Sequence, residues 1–152
     1  APGRGMLRRM GQVARRDGAR LVLPSLSDNG ATIGAARFLY RGMLRRGITL
    51  FEYQPCKLHM KLIVIDDIVY IGSANFDMRS LFLNLELMLR IEDAQFAQQM
   101  RQFVARRIQD SRQIHAVDVA SAGWLNRLKW WLSYLLVGVV DYTVTRRLNF
   151  RS

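Results

Sequence analysis

The chain is poor in the residues that make disulfides and metal sites. Its 152 residues include one cysteine, Cys56, and two histidines, His59 and His115. A single cysteine forbids an intrachain disulfide and gives no reason to invoke an oxidising compartment. Cys56 is expected to be a small packing hydrophobe. With no cysteine cluster and so few histidines, zinc ligation is poorly supported, and neither metal nor cofactor is expected. Acidic residues are scarce as well: 12 Asp and Glu stand against 23 Lys and Arg, a formal net charge of +11. That imbalance implies a polyanionic partner, nucleic acid or an anionic membrane surface, and charge alone does not choose between them. Long hydrophobic runs are also missing. The longest uncharged stretch of the C-terminal tail, Trp130 to Val140, has 11 residues, against about 20 for a membrane-spanning helix. The N-terminus has no apolar signal-peptide core. Its opening, Ala1-Pro2-Gly3-Arg4-Gly5-Met6, reads as the edge of an excised or incomplete chain.

What is present is a domain's worth of apolar residues, 50% of the chain, with no low-complexity segment, so a sizeable core is expected. Leu7, Met10 and Val13–Ala14 recur at helical spacing among arginines, which predicts a basic amphipathic helix over 6–17, with Gly18 as its stop. Residues 19–24 read as a short strand ended by Pro24. Asp28 or Asn29 can cap a second helix over 31–46, with Ile33, Ala36, Tyr40 and Met43–Leu44 on one face and Gly47 at its end. Residues 48–53 read as a second strand, and Pro55 marks a break. The pair Asp66-Asp67 reads as a tight turn into a strand over 68–71, and Gly72-Ser73 opens a loop reaching Arg79 and Ser80. From Asn84, Leu85, Leu87, Leu89 and Ile91 alternate with Glu86, Met88 and Arg90 as in a strand. A third helix is expected over 93–109, and 111–120 is less regular. This order of helices and strands is that of an α/β fold, a mixed β-sheet flanked by α-helices. Residues 1–120 read as the globular unit. Residues 121–152 read as an amphipathic, Trp-rich segment in which Arg127 and Lys129 precede the uncharged run Trp130 to Val140 and Arg146 and Arg147 follow it. Such a segment suits either the membrane interface or a helix docked on the domain.

The chemistry concentrates between His59 and Glu86. In His59-Met60-Lys61-Leu62-Ile63-Val64-Ile65-Asp66, strand periodicity puts His59 and Lys61 on one face. The apolar run Leu62 to Ile65 is expected to carry that strand into a core. Lys61 offers a compact cation for a phosphoryl oxygen, and Ser73 and Asn75 offer neutral donors. His59 can serve as nucleophile when neutral or as acid when protonated. Glu86 can accept from His59 Nδ1 and leave Nε2 aimed at phosphorus. His115 is expected to be a bystander.

The pattern His59-x-Lys61-x4-Asp66 followed by Gly72-Ser73-x-Asn75 resembles the signature of the phospholipase D superfamily. The run Asn75-Phe76-Asp77-Met78-Arg79-Ser80 with Asn84-Leu85-Glu86 is similar to the second motif region of bacterial cardiolipin synthases. So are Ser27-Asp28, Ala35-Ala36-Arg37 with Tyr40, and Tyr53-Gln54-Pro55. The resemblance spans roughly residues 10–110. It implies a phospholipase D-like half-domain and a phosphatidyltransferase that moves a phosphatidyl group from phosphatidylglycerol to an alcohol through phosphohistidine. His59 would be nucleophile or general acid. Lys61, Asn75 and Ser73 would hold the phosphoryl oxygens, Glu86 would orient His59, and Asp66 would be structural or charge-balancing. The connection from Asp66 to Gly72 is one residue shorter than is usual, which predicts a shortened hairpin and a shifted register for its second strand.

The superfamily builds its centre from two such motifs, and this chain has one, because His115 is followed by Ala116-Val117. The expected partner is a second half-site, from a missing N-terminal half or from a homodimer mate. The implied substrate is an anionic, phosphatidylglycerol-like phospholipid at a membrane surface, on the cytoplasmic face of the bacterial inner membrane. The alternative is a homodimeric phosphodiesterase or nuclease, for which the positive charge would serve nucleic-acid backbone binding. A third possibility is a catalytically dead half that binds membrane or dimerises.

Overall fold

The computed structural model describes residues 3–75 and 85–137. The loop residues Phe76 to Ser80, Asn84, and the tail residues Tyr142, Arg146 and Arg147 lie outside that set. Among the described residues the order is α1 (Arg4–Arg16), β1 (Ala19–Pro24), α2 (Gly30–Leu44), β2 (Ile48–Tyr53), β3 (Leu62–Ile65) and β4 (Ile68–Gly72). Then come β5 (Met88–Glu92), α3 (Ala94–Gln109), β6 (Ser111–Ile114), α4 (Ala116–Ala120) and α5 (Trp124–Leu135).

The architecture is mixed α/β, but its strands form two small sheets. In the first, β1 runs parallel to β2, with Ala19 opposite Ile48, and β6 runs antiparallel to β2, with Leu50 opposite Ile114. In the second, β3, β4 and β5 form an antiparallel meander. Helix α3 touches strands of both sheets.

Local chemistry explains the first sheet. Gly18 and Gly47, both at positive φ, end α1 and α2 and release the chain into β1 and β2. The Asn29 side chain caps α2 by accepting from the Ala31 amide at 3.0 Å. Leu7, Tyr40, Met43, Ile48, Leu50 and Ile114 form the buried core, with Met10, Ala14 and Leu21 packed against it. Arg8, Arg9, Arg15 and Arg16 of α1 are exposed, away from the apolar stripe of the helix.

One polar cluster lies inside. Glu52 on β2 is 5% exposed. Its carboxylate accepts from Arg37 Nε at 2.8 Å, Arg37 Nη2 at 3.0 Å and the Tyr40 hydroxyl at 3.0 Å. A buried carboxylate is stable only when paired this fully. On the other face of β2, Arg107 of α3 donates to the Tyr53 hydroxyl at 3.0 Å.

Three sequence expectations are corrected here. Cys56 is exposed, because the bend after Pro55 carries it over the surface instead of into the core. Residues 111–120 are regular after all. They contain the edge strand β6, in which Ile114 alone is buried, and the short α4. The alternating segment from Asn84 joins the ladder only at Met88, and Leu85, Leu87 and Leu89 are exposed. His115 sits at the start of α4, where its amide donates to Asp118 at 2.7 Å. That hydrogen bond, followed by the Arg112 side chain, holds the Asp118 carboxyl below the ordinary range.

Candidate active site

His59 precedes its strand. Regular pairing of β3 begins at Leu62, not at His59. The Gly72 amide still donates to the Lys61 carbonyl at 3.3 Å, but the chain then turns away at Ser73. Met60 and His59 therefore extend past the ladder. The apolar run does not enter a core on both sides either. Val69, opposite Val64, is fully buried beneath α3, whereas Ile63 and Ile65 on the other face are exposed. Among the described residues a helix covers only one side of this sheet, and the hairpin buries only that face.

His59 and Lys61 nevertheless meet. Lys61 Nζ lies 2.8 Å from His59 Nε2 and donates to the His59 carbonyl at 2.9 Å. With Lys61 charged, Nζ donates and Nε2 accepts, which puts the imidazole proton on Nδ1. Partial burial lowers the Lys61 pKa below the ordinary lysine value, and the nearby charge of Glu86 opposes the shift. Lys61 thus feels a carboxylate from the segment that leads into β5.

Glu86 reaches the site through Ser73. The Ser73 hydroxyl donates to Glu86 Oε2 at 2.6 Å and accepts from the Leu87 amide at 3.0 Å. The Ser73 amide in turn donates to the Leu87 carbonyl at 2.9 Å. The Leu87 backbone is a positioning element that no side-chain pattern announces, since its work is done by main-chain atoms. Its signal is indirect and lies in Gly72. A Cβ at Gly72 would lie 2.0 Å from the Leu87 carbonyl oxygen and 2.8 Å from Met88 Sδ. Gly72→Ala is therefore expected to push β4 and β5 apart, costing about 1–3 kcal/mol and moving Ser73 off Glu86. A urea melt of the variant checks this, and an unchanged midpoint would refute the tight packing.

The remaining motif residues separate into two places. Asn75 is exposed two residues beyond Ser73. Asp66 is at the far end of β3, in the two-residue turn, at φ 49°. Arg101 of α3 donates to its carbonyl, and the same guanidinium lies 3.6 Å from the Asp67 carboxylate. Asp66 therefore shapes the turn at the opposite end of the strand from His59. The turn joins β3 directly to β4, with Ile65 opposite Ile68.

His59, Lys61, Ser73 and Glu86 make an exposed patch with an imidazole, an ammonium, a hydroxyl and a carboxylate. The family model described as "Cardiolipin synthase, PLD-like domain" matches residues 2–108. The chain belongs to this phospholipase D-like family. It is 34% identical over 125 residues to cardiolipin synthase A of Pseudomonas putida, covering 82% of this chain and 26% of that protein. It is 37% identical over 117 residues to cardiolipin synthase A of Pseudomonas syringae pv. syringae, covering 76% of this chain and 24% of the relative. The minor cardiolipin synthase ClsB of Bacillus subtilis is 32% identical over 126 residues, covering 81% and 32% respectively. The chain thus spans about a quarter to a third of the length of these curated relatives. No solved structure matches it. Among the described residues, no helix is long and apolar enough to cross a membrane.

Proposed function

We propose that this phospholipase D-like domain supplies one histidine half of a phosphatidyltransferase centre of the cardiolipin synthase type. The observation that carries this reading is the 2.8 Å pairing of His59 Nε2 with Lys61 Nζ beside the Ser73–Glu86 pair. The names of the relatives supply the substrate class.

In the proposed reaction a phosphate diester of phosphatidylglycerol draws Lys61 onto its non-bridging oxygens. That frees the Nε2 lone pair. If His59 is the nucleophile, Nε2 forms an N–P bond as the P–O bond to the leaving glycerol breaks, and a second histidine gives the alkoxide its proton. An acceptor alcohol then attacks phosphorus, the N–P bond breaks, and the second histidine takes the alcohol's proton. If His59 is the acid, the two roles exchange. Lys61, Ser73 and Asn75 stabilise the charge that grows on the phosphoryl oxygens, and Glu86 sets the orientation of the set. The second histidine comes from another half of the same enzyme or from a second copy of this chain. On this reading the reaction proceeds at the membrane surface where its substrate resides.

The test compares substrates. The enzyme that carries this domain is incubated with phosphatidylglycerol vesicles and, separately, with plasmid DNA. Cardiolipin formation without DNA cleavage is the expected result, and DNA cleavage without lipid turnover would sink the lipid reading.

A further inference from the structure

Helix α5 is apolar on two sides, with Trp130, Tyr134 and Leu135 half-buried on one of them. The side that packs on α2 holds Ser133 over Gly34 and Tyr134 against Phe38, with ring centroids 4.8 Å apart. The side that faces away carries Trp124, Leu125, Leu128 and Trp131, with Leu132 and the C-cap Leu136 at its edge toward α2, all exposed. At 100° per residue these six positions fall within an arc of about 140°. Exposed Arg127 and Lys129 stand at its two borders. A surface helix of a water-facing domain has one apolar stripe, laid against the protein, and a polar outer face. Among the described residues, nothing covers this stripe.

We propose that α5 is a membrane-docking element that lays its outward Trp/Leu face into the interface of an anionic bilayer while its other side stays on α2. Three observations select lipid as the occupant. Tryptophan and leucine bordered by cations on both edges match the interface, where indole rings sit at headgroup depth and basic side chains reach phosphates. The net charge of +11 complements an anionic surface and adds long-range attraction. Among the described residues the helix has 12 residues and is ~18 Å long, suited to lying in the interface, and no described helix is long and apolar enough to cross a membrane. The docking surface stands apart from the catalytic reading, because it needs no turnover.

The chain provides its own reporter. All three of its tryptophans, Trp124, Trp130 and Trp131, are on α5. Vesicles of equal parts phosphatidylcholine and phosphatidylglycerol, with bromine on the acyl chains of the phosphatidylcholine, should quench tryptophan emission by about half or more. Each of Leu128→Glu and Leu132→Glu should weaken vesicle partitioning about tenfold, and vesicles of phosphatidylcholine alone should bind about tenfold more weakly. Circular dichroism checks that the variants fold, and Leu128→Ser with Leu132→Ser replaces them if they do not. Absence of quenching, or partitioning that both pairs leave unchanged, would overturn the proposal. So would unquenched wild-type chain that sediments as an oligomer dissociated by the same substitutions, since protein would then own the face. Quenching with no lipid turnover in the intact enzyme would count against the catalytic reading and leave this one standing.

Discussion

Replacing His59 by alanine is expected to lower phosphatidyl transfer by about a thousandfold or more in the enzyme that carries this domain. The size of the effect does not depend on which step His59 serves. As nucleophile its loss removes the covalent intermediate; as acid its loss leaves an alkoxide to depart unprotonated. The fold should be indifferent. His59 is exposed, and its described side-chain contact is with Lys61, itself at the surface. A melting temperature within about 2 °C of the parent is expected. Initial rates of cardiolipin formation from phosphatidylglycerol vesicles, paired with a thermal melt, measure both. A folded variant retaining more than about a tenth of the rate would remove His59 from the chemistry and undo the proposed centre.

The second large effect is on stability, and its origin is Glu52. Glu52→Ala removes the acceptor of three hydrogen bonds from Arg37 and Tyr40. Breaking a buried pair from one side costs about 3–5 kcal/mol. The Arg37 side chain is 34% exposed and can reach water, so about 2–3 kcal/mol is expected, a fall in Tm of roughly 5–10 °C. Tyr40 adds a pH signature. Burial, followed by the Glu52 charge, pushes its hydroxyl far above the ordinary phenol value of 10.0. The folded state therefore keeps a proton that the unfolded chain releases near pH 10. Its contribution is complete below that pH and declines as pH rises further. Tyr40→Phe should cost about 1 kcal/mol at neutral pH, and its deficit against the parent should close above pH 10. A deficit constant from pH 8 to 11 would show that the hydroxyl is not protected as described.

The same cluster shows where sequence reasoning stopped. The parallel β1–α2–β2 unit was legible because caps, glycines and apolar periodicity agree there: Asn29 caps α2, and Gly47 ends it. The Asp66-Asp67 turn was legible for the same reason, having no other role between two apolar runs. Glu52 carried a signal that went unread, a carboxylate in the strand Ile-Thr-Leu-Phe-Glu-Tyr, where burial demands a partner. β6 offered little signal, because an edge strand with one inward residue lacks the alternation that marks a half-buried one. At the site, the motif brought His59, Lys61, Ser73 and Glu86 into view. Where the strand starts was not legible, since it depends on where β4 stops offering partners. The exposure of Ile63, Ile65 and Leu87 was equally hidden, because an apolar pattern tells that a face will be covered and not by which chain.

The pairing of β2 with β6 has a consequence for how this domain folds and diverges. The chain leaves the first sheet at Tyr53 and returns at Ser111, directly opposite, and the Gln54 amide donates to the Asp110 carbonyl at 3.3 Å. Residues 54–110, with the whole β3–β4 hairpin, are therefore an excursion whose two ends are pinned at one point. The β1–α2–β2 unit can assemble from contacts close in sequence, before the costly closure that brings β6 home. The excursion can then gain or lose a residue while the strands that clamp it keep their register. A segment held in this way is free to drift in length and chemistry, and the sheet that holds it is not.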